Sequence, residues 1–129
     1  MPAQLYLHIT WTTLDRAPMI GLGVRRFLER FLPAEAQRHG AQTLALGMVS
    51  DHVHLVVEAP LRWDLPRLMM GLKGASSCEI NKNTEISLVG LRWAKGYDVR
   101  TVGPGQLNRV IEYVRSQPAR HPDRAVGDD

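Results

Sequence analysis

Two histidines stand two residues apart in the segment SDHVHLVVEAP, which runs from Ser50 to Pro60. The apolar and β-branched residues around them are typical of a β-strand. Because successive strand side chains point to opposite faces, His52 and His54 are expected to project from the same side of a sheet. Imidazole is a common metal ligand, so a divalent metal site is one interpretation of the pair. The other is structural, since a half-buried strand can carry hydrogen-bonded histidines.

A metal site built on this pair needs a further ligand, and the predicted last helix offers candidates. We expect that helix to run from about Pro104 to Gln117 and to be closed by Pro118. At about 100° per residue, its apolar side chains form one stripe and a neighbouring stripe is polar. The polar stripe consists of Gln106, Arg109, Tyr113 and Gln117. Tyr113 and Gln117 lie one turn apart and face the same way. Tyr113 also has a simpler interpretation, a boundary aromatic with a packed ring and an exposed hydroxyl.

The elements that must position these residues follow from the periodicity of the chain. Alternating or extended patterns predict strands over residues 5–11, 43–49, 52–60, 88–93 and 97–102. Helical spacing predicts helices over residues 20–38, 64–80 and 104–117. Gly71 and Gly74 weaken the second helix, which indicates a close approach to a neighbouring element.

The order of these elements is strand, helix, strand, strand, helix, strand, helix, in which residues 88–102 count as one extended region around Gly96. It predicts an α+β fold of the ferredoxin-like, split βαβ type, an antiparallel sheet with helices on one face. The last helix, which carries Tyr113, is added to that unit. We expect one domain over residues 1–120 and a polar, flexible tail over residues 121–129.

Composition limits the classes of protein that the chain can represent. It has 129 residues, 44% of them hydrophobic and 22% charged, which is typical of one globular domain. No apolar run approaches the roughly 18 residues that span a membrane, and the N-terminus lacks the pattern of a secretory signal. Cys78 is the only cysteine, which excludes an intrachain disulfide and suits a reducing compartment. We therefore expect a cytoplasmic protein without a membrane partner.

The formal net charge of +3 is unevenly distributed. Residues 1–60 contain five arginines and five acidic residues, so the basic excess lies beyond Pro60. That half also carries Trp63, Trp93 and Tyr97. Such a combination could hold phosphates and stack bases. A solvated surface over ordinary core aromatics explains the charge equally well.

Several segments together carry a resemblance to a known family. DHVHLVV, followed much later by IEYVRSQ, resembles the HUH (His-hydrophobic-His) single-tyrosine transposases of small bacterial insertion sequences. The supporting segments are LHITWTTLDRAP, LMMGLKGASSCEINK and LRWAKGYDVRTVG. They occur in the family's order and span nearly the whole chain.

The resemblance implies a role for each chemical residue. His52 and His54 correspond to the metal-binding pair, Gln117 to a third metal ligand, and Tyr113 to the nucleophile. The implied cofactor is Mg²⁺ or Mn²⁺. The implied assembly is a homodimer in which the tyrosine helix of one subunit can serve the histidines of the other.

The activity that the resemblance implies is metal-dependent cleavage and transfer of single-stranded DNA through a 5′-phosphotyrosine intermediate. The implied substrates are hairpins at the ends of an insertion sequence. We expect basic residues of the second half to contact the DNA, namely Lys73, Lys82, Lys95, Arg100 and Arg109. Two alternatives remain open: a catalytically silent module that binds single-stranded nucleic acid on the same fold, and a divalent-metal-binding structural protein unrelated to DNA.

Overall fold

The computed structural model describes residues 4–126, which form one antiparallel sheet flanked by helices. The strands are β1 (Gln4–Thr12), β2 (Gln42–Val49), β3 (His52–Pro60) and β4 (Asp98–Val102). The helices are α1 (Leu22–Arg38), α2 (Leu65–Met69), α3 (Ser76–Lys82), α4 (Leu107–Arg115) and α5 (Gln117–Arg120). The strand order is β2-β3-β1-β4, and every neighbouring pair is antiparallel. The predicted α+β, ferredoxin-like fold is confirmed. No helix within residues 4–126 is long and apolar enough to cross a membrane.

One face of the sheet carries the main hydrophobic core. Alternate side chains of β1 and β3 point to this face, as the period of two requires. They are Leu7, Ile9, Trp11, Val53, Leu55 and Val57. Helix α1 packs its apolar stripe of Val24, Leu28, Leu32 and Ala36 on them. The predicted placement of the first helices on one face therefore holds for α1 to α3.

The opposite face of the sheet is covered by α4. Its Val114 is fully buried against Ala45 of β2 and Val56 of β3, and these three form a second, smaller apolar cluster. β3 is thus a central strand covered on both faces, which explains its nearly continuous apolar run. Gly47 of β2 permits the close approach, because a Cβ at this position would collide with the main-chain carbonyl of Val114.

The helix predicted over residues 64–80 is present as a continuous helical segment whose centre is irregular. Asp64 caps its start, accepting a hydrogen bond from the amide N–H of Arg67 at 3.1 Å. Between α2 and α3 the chain makes a π-helical stretch, Met70–Ala75. Gly71 in this stretch lies directly against the side chains of Glu35 on α1 and of His39, which follows the end of α1, so the predicted close approach exists there.

The prediction of a strand over residues 88–93 is wrong. Its only ladder contact within residues 4–126 is an isolated bridge between Trp93 and Thr13. The side chain of Asn81 explains this, because its Oδ1 accepts from the N–H of Leu91 at 2.8 Å and its Nδ2 donates to the Leu91 carbonyl at 3.0 Å. Those main-chain groups are therefore not available to a sheet. The open edge of β1 is taken by β4 instead.

The end of the last helix also differs from the prediction. Pro118 does not close the helix that contains Tyr113, which already ends at Arg115. Pro118 has no N–H to donate to the carbonyl of Val114, so the helix breaks at Ser116. Proline is tolerated in a first helical turn, and Pro118 stands in that of α5.

Part of the segment predicted as a polar tail contacts the β2–β3 turn. The amide N–H of Ser50 donates to the carbonyl of Arg124 at 2.7 Å. Val126 packs against the main core. Residues 127–129 of that predicted tail lie outside the described residues.

Candidate active site

His52 and His54 lie side by side on the face of β3 that α4 covers. Their ring centroids are 5.1 Å apart, and their side chains are almost completely buried. The prediction that they share one face is therefore confirmed. Antiparallel pairing places them opposite Thr12 and Thr10 of β1. Burial in a central strand holds both rings in place.

His52 is oriented by a carboxylate. Its Nδ1 donates a hydrogen bond to Oδ1 of Asp51 at 2.8 Å, and both side chains are buried. A neutral imidazole has one N–H, so this bond leaves a lone pair on Nε2. That lone pair faces Oε1 of Gln117 at 3.4 Å. In this neutral form, two acceptors therefore face each other across a short gap.

Gln117 is held in the orientation that creates this gap. Its Nε2 donates to the main-chain carbonyl of Tyr113 at 3.2 Å, which turns Oε1 towards His52. The residue is completely buried. The predicted spacing of one turn between Tyr113 and Gln117 survives, although the break at Ser116 lies between them.

His54 is surrounded by other polar side chains. Its Nδ1 lies 2.9 Å from Nε2 of His8 and 3.2 Å from Oγ1 of Thr10. Burial, followed by the proximity of His52 and His8, lowers the pKa of His54 to about 3. Burial also lowers the pKa of His8. Both rings are accordingly neutral at physiological pH, which leaves lone pairs for hydrogen bonds or ligation.

Tyr113 reaches this cluster from α4. Its ring centroid lies 5.7 Å from that of His54 and 6.2 Å from that of His8, in edge-to-face contacts. The guanidinium of Arg120 lies 4.8 Å from the tyrosine ring centroid, a cation–π contact that restrains the ring. The side chain is still 38% exposed. A phenol held beside a histidine cluster and open to solvent can act on an external substrate.

A cleft of about 570 Å³ opens beside these residues. It is lined by His8, Thr10, His54, Asp98, Arg100, Arg109, Val110 and Tyr113. Arg100 comes from β4 and Arg109 from α4, so guanidinium groups come from two elements around the cleft. Arginine recognises phosphate well because its donors form a planar fork.

The five basic residues predicted to contact DNA are not all at the cleft. Arg100 and Arg109 line it, whereas Lys73 has its ammonium on the carbonyls of Ala94 and Gly96, at 2.7 and 2.8 Å. Burial lowers the pKa of Lys73. The remaining two are exposed elsewhere: Lys82 lies at the end of α3, 3.9 Å from Glu79, and Lys95 lies in the loop before β4.

Four residues of this neighbourhood were not found by sequence reasoning: His8, Asp51, Arg120 and His121. The ring of His121 lies 5.6 Å from that of His52. The alternation of β1 does place His8 and Thr10 on one face, but the register that sets them beside His54 is a tertiary property. Asp51 adjoins His52 in the sequence and lies in the turn before β3.

The donor set fits a divalent cation. Within residues 4–126 no group of three His, Cys, Asp or Glu side chains could hold a metal ion, so a site built on His52 and His54 would need a third ligand of another kind. The amide oxygen of Gln117 is such a ligand, and it faces a lone pair of His52 when that ring carries its single N–H on the Nδ1 that contacts Asp51. A shared cation would satisfy both acceptors.

Comparisons with known proteins show the family of the chain. The family described as "Transposase IS200 like" matches residues 2–117. The ISDra2 transposase TnpA of Deinococcus radiodurans is 26% identical over 118 residues, covering 88% of this chain and 84% of that protein.

Two solved structures show the same fold. A candidate transposase from Deinococcus radiodurans R1 superposes with a TM-score of 0.69 at 23% identity, covering 98% of this chain and 95% of that one. A REP-associated tyrosine transposase bound to a REP hairpin superposes with a TM-score of 0.72 at 11% identity, covering 94% and 71%. Since the family match extends over most of the sequence, this chain belongs to the IS200-like transposases.

Proposed function

We propose that this transposase cleaves and rejoins single-stranded DNA through a covalent bond to Tyr113, with a divalent cation. The observation that carries the proposal is the meeting of Tyr113 with His52, His54 and Gln117 beside one cleft. A phenol with a pKa near 10 is a weak nucleophile, so it needs the positioning and positive charge that this cleft supplies.

The cation would be held by Nε2 of His52, Nε2 of His54 and Oε1 of Gln117. A bound divalent cation polarises a phosphate and stabilises the charge that develops on it. The three ligands are neutral, so they leave the cation's charge available to the phosphate. Mg²⁺ prefers oxygen ligands, and the two nitrogens favour tolerance of Mn²⁺ as well.

The protein's own residues would carry the strand transfer. Oη of Tyr113 attacks the phosphorus and loses its proton, forming the tyrosyl O–P bond. The P–O3′ bond breaks, and the departing 3′ oxygen takes up a proton. The product is a 5′-phosphotyrosine and a free 3′-hydroxyl. Attack by another 3′-hydroxyl reverses the step, so strands can be rejoined without ATP.

We propose that the substrate is a DNA hairpin at an end of an insertion sequence. A protein of the same fold is bound to a REP hairpin, which supports a hairpin substrate for this chain. Arg100 and Arg109 flank the cleft and suit a phosphate backbone that passes Tyr113. We place the catalytic unit in residues 1–120.

A covalent-trapping assay tests this function. The protein is incubated with labelled single-stranded DNA from the regions flanking its own gene, with and without Mn²⁺ or Mg²⁺, and run on a denaturing gel. We expect a shifted protein–DNA band that requires the metal. Metal-independent binding with no band from either flank would favour the alternative, a catalytically silent binding module on the same fold.

Phosphate contacts at the cleft predict a defined dependence on salt. The double variant Arg100→Gln/Arg109→Gln should reduce the slope of log K against log salt by about 1.4, since each single-strand phosphate contact contributes about 0.7. Filter binding of one oligonucleotide across a salt series measures this slope. The matched control is Arg26→Gln/Arg30→Gln, because these arginines are exposed on α1. Equal slopes for the two double variants would remove the cleft from the DNA path.

We also propose a homodimer, in which α4 can dock on its own sheet or on that of the partner. Mixing a His52→Ala/His54→Ala protein with a Tyr113→Phe protein distinguishes the two arrangements. The covalent band returns where α4 of one subunit reaches the other's histidines. Both proteins stay inactive, despite proven heterodimers, where each site is built within one chain.

A further inference from the structure

His8 on β1 contacts His54, one of the two candidate ligand histidines. This contact is shorter than any other polar contact of His52 or His54 with a residue outside β3 and the turn before it. Its Nε2 lies 2.9 Å from Nδ1 of His54, and the two rings are stacked with centroids 5.1 Å apart. Oγ1 of Thr10 is the second neighbour of His54 Nδ1, at 3.2 Å. Nothing in the proposed function assigns a role to His8.

The chemistry of imidazole makes this contact consequential. A neutral ring carries one N–H, so His54 can offer Nε2 to a cation only when the proton is on Nδ1. Because the side chain of His54 is buried, its Nδ1–H needs an acceptor within the protein. Nε2 of His8 is the nearest acceptor. The opposite arrangement, with His8 donating, would put the His54 proton on Nε2 and block ligation.

The choice of acceptor differs between the two ligand histidines. His52 uses the carboxylate of Asp51, which is buried and does not line the cleft. His8 does line the cleft, together with Tyr113 and the arginines proposed to hold phosphate. The carboxylate of Asp98 at the cleft is paired with Arg100 at 3.0 Å, but a carboxylate in place of His8 would face His54 and add an unpaired negative charge beside the DNA backbone. A neutral imidazole accepts the same hydrogen bond without that charge.

We propose that His8 accepts the Nδ1–H of His54 and so fixes the tautomer that presents His54 Nε2 to the divalent cation. His8 is a positioning residue, and this role rests on the proposed metal site. Partners that orient a ligand histidine typically contribute about 10–100-fold to metal affinity.

Mn²⁺ binding to the DNA-free protein tests the role. The His8→Phe variant keeps an aromatic ring but has no acceptor, and we expect its Kd for Mn²⁺ to rise by about 10–100-fold. The His8→Gln variant can place an amide oxygen near the original Nε2 and should stay within about threefold of the wild type. Free Mn²⁺ is followed by electron paramagnetic resonance. His39→Phe, which changes a histidine paired with Glu35 on α1, is the matched control.

The ¹⁵N shifts of the histidine rings give a second readout that needs neither metal nor activity. We expect the metal-free His54 in its Nδ1–H form, and an Nε2–H form would overturn the proposal. So would an unchanged Mn²⁺ affinity in His8→Phe, or equal losses in His8→Phe and His8→Gln. A wild-type protein that binds no Mn²⁺ would contradict the proposed metal site itself. A wild type that binds Mn²⁺ and forms the covalent band, beside an unaffected His8→Phe, would contradict only this inference.

Discussion

The Tyr113→Phe protein is expected to form no covalent adduct with DNA, a loss on the order of 10⁴-fold or more, as for removal of other enzymatic nucleophiles. The substitution deletes only the hydroxyl. The ring can keep its edge-to-face contacts with His54 and His8 and its cation–π contact with Arg120. DNA affinity should therefore stay near that of the wild type, because the arginines at the cleft are unchanged. A denaturing gel measures the adduct, and filter binding measures the affinity.

Tyr97→Phe is the matched control for this experiment. Tyr97 is exposed to nearly the same extent, 40% against 38%, but lies in the loop before β4 and does not line the cleft. Its adduct should form at the wild-type level. An adduct that persists in Tyr113→Phe would assign the nucleophile to another side chain, and loss in both variants would indicate a general effect on folding.

The parts of the site that sequence reasoning predicted are those fixed by local geometry. The strand period of two is sufficient to place His52 and His54 on one face, and the helical period to place Tyr113 near Gln117. The pattern alone left their meeting open, because the packing of α4 on β3 is a tertiary property. The expectation that these residues meet came from the resemblance to the HUH single-tyrosine transposases.

His8 was missed because its contact depends on pairing between distant elements. His8 is separated by 46 residues from His54 in the chain, and only the β1–β3 register brings them together. Lys73 shows the converse. Its positive charge suggested DNA, yet the loop after α3 folds back and offers two carbonyls to its ammonium. A lysine's partners cannot be inferred from its type when they come from a loop of unknown path.

The predicted end of the last helix was wrong for a related reason, because the true end also involves a contact with a distant element. Pro118 was expected to stop the helix, and it does remove one hydrogen bond, but the effect falls four residues earlier on the carbonyl of Val114. That carbonyl lies against Gly47 of β2. The position of the helix break therefore depends on the docking of α4 against β2 as well as on the missing N–H of Pro118.

Replacing Gly47 by Ala is expected to displace α4 and to abolish adduct formation. The new Cβ would meet the Val114 carbonyl, which is main chain and cannot rotate away. Either α4 shifts off the sheet or the strand distorts, and overpacking of this kind costs about 1–3 kcal/mol of unfolding free energy. A shift of α4 carries Tyr113 and Gln117 away from His52 and His54 together. Because positioning errors of about 1 Å can cost about 100-fold in rate, activity should fall far more than stability.

Gly103→Ala makes the same chemical change in the segment between β4 and α4 and is the matched control. A Cβ there has open space, and the residue's φ of −69° is accessible to alanine. Urea unfolding and the covalent band are measured for both variants. Wild-type stability and a full band in Gly47→Ala would mean that α4 docks elsewhere when it acts. Because α4 would make the same contact on a partner's sheet, the loss is expected whether the helix serves its own subunit or the other.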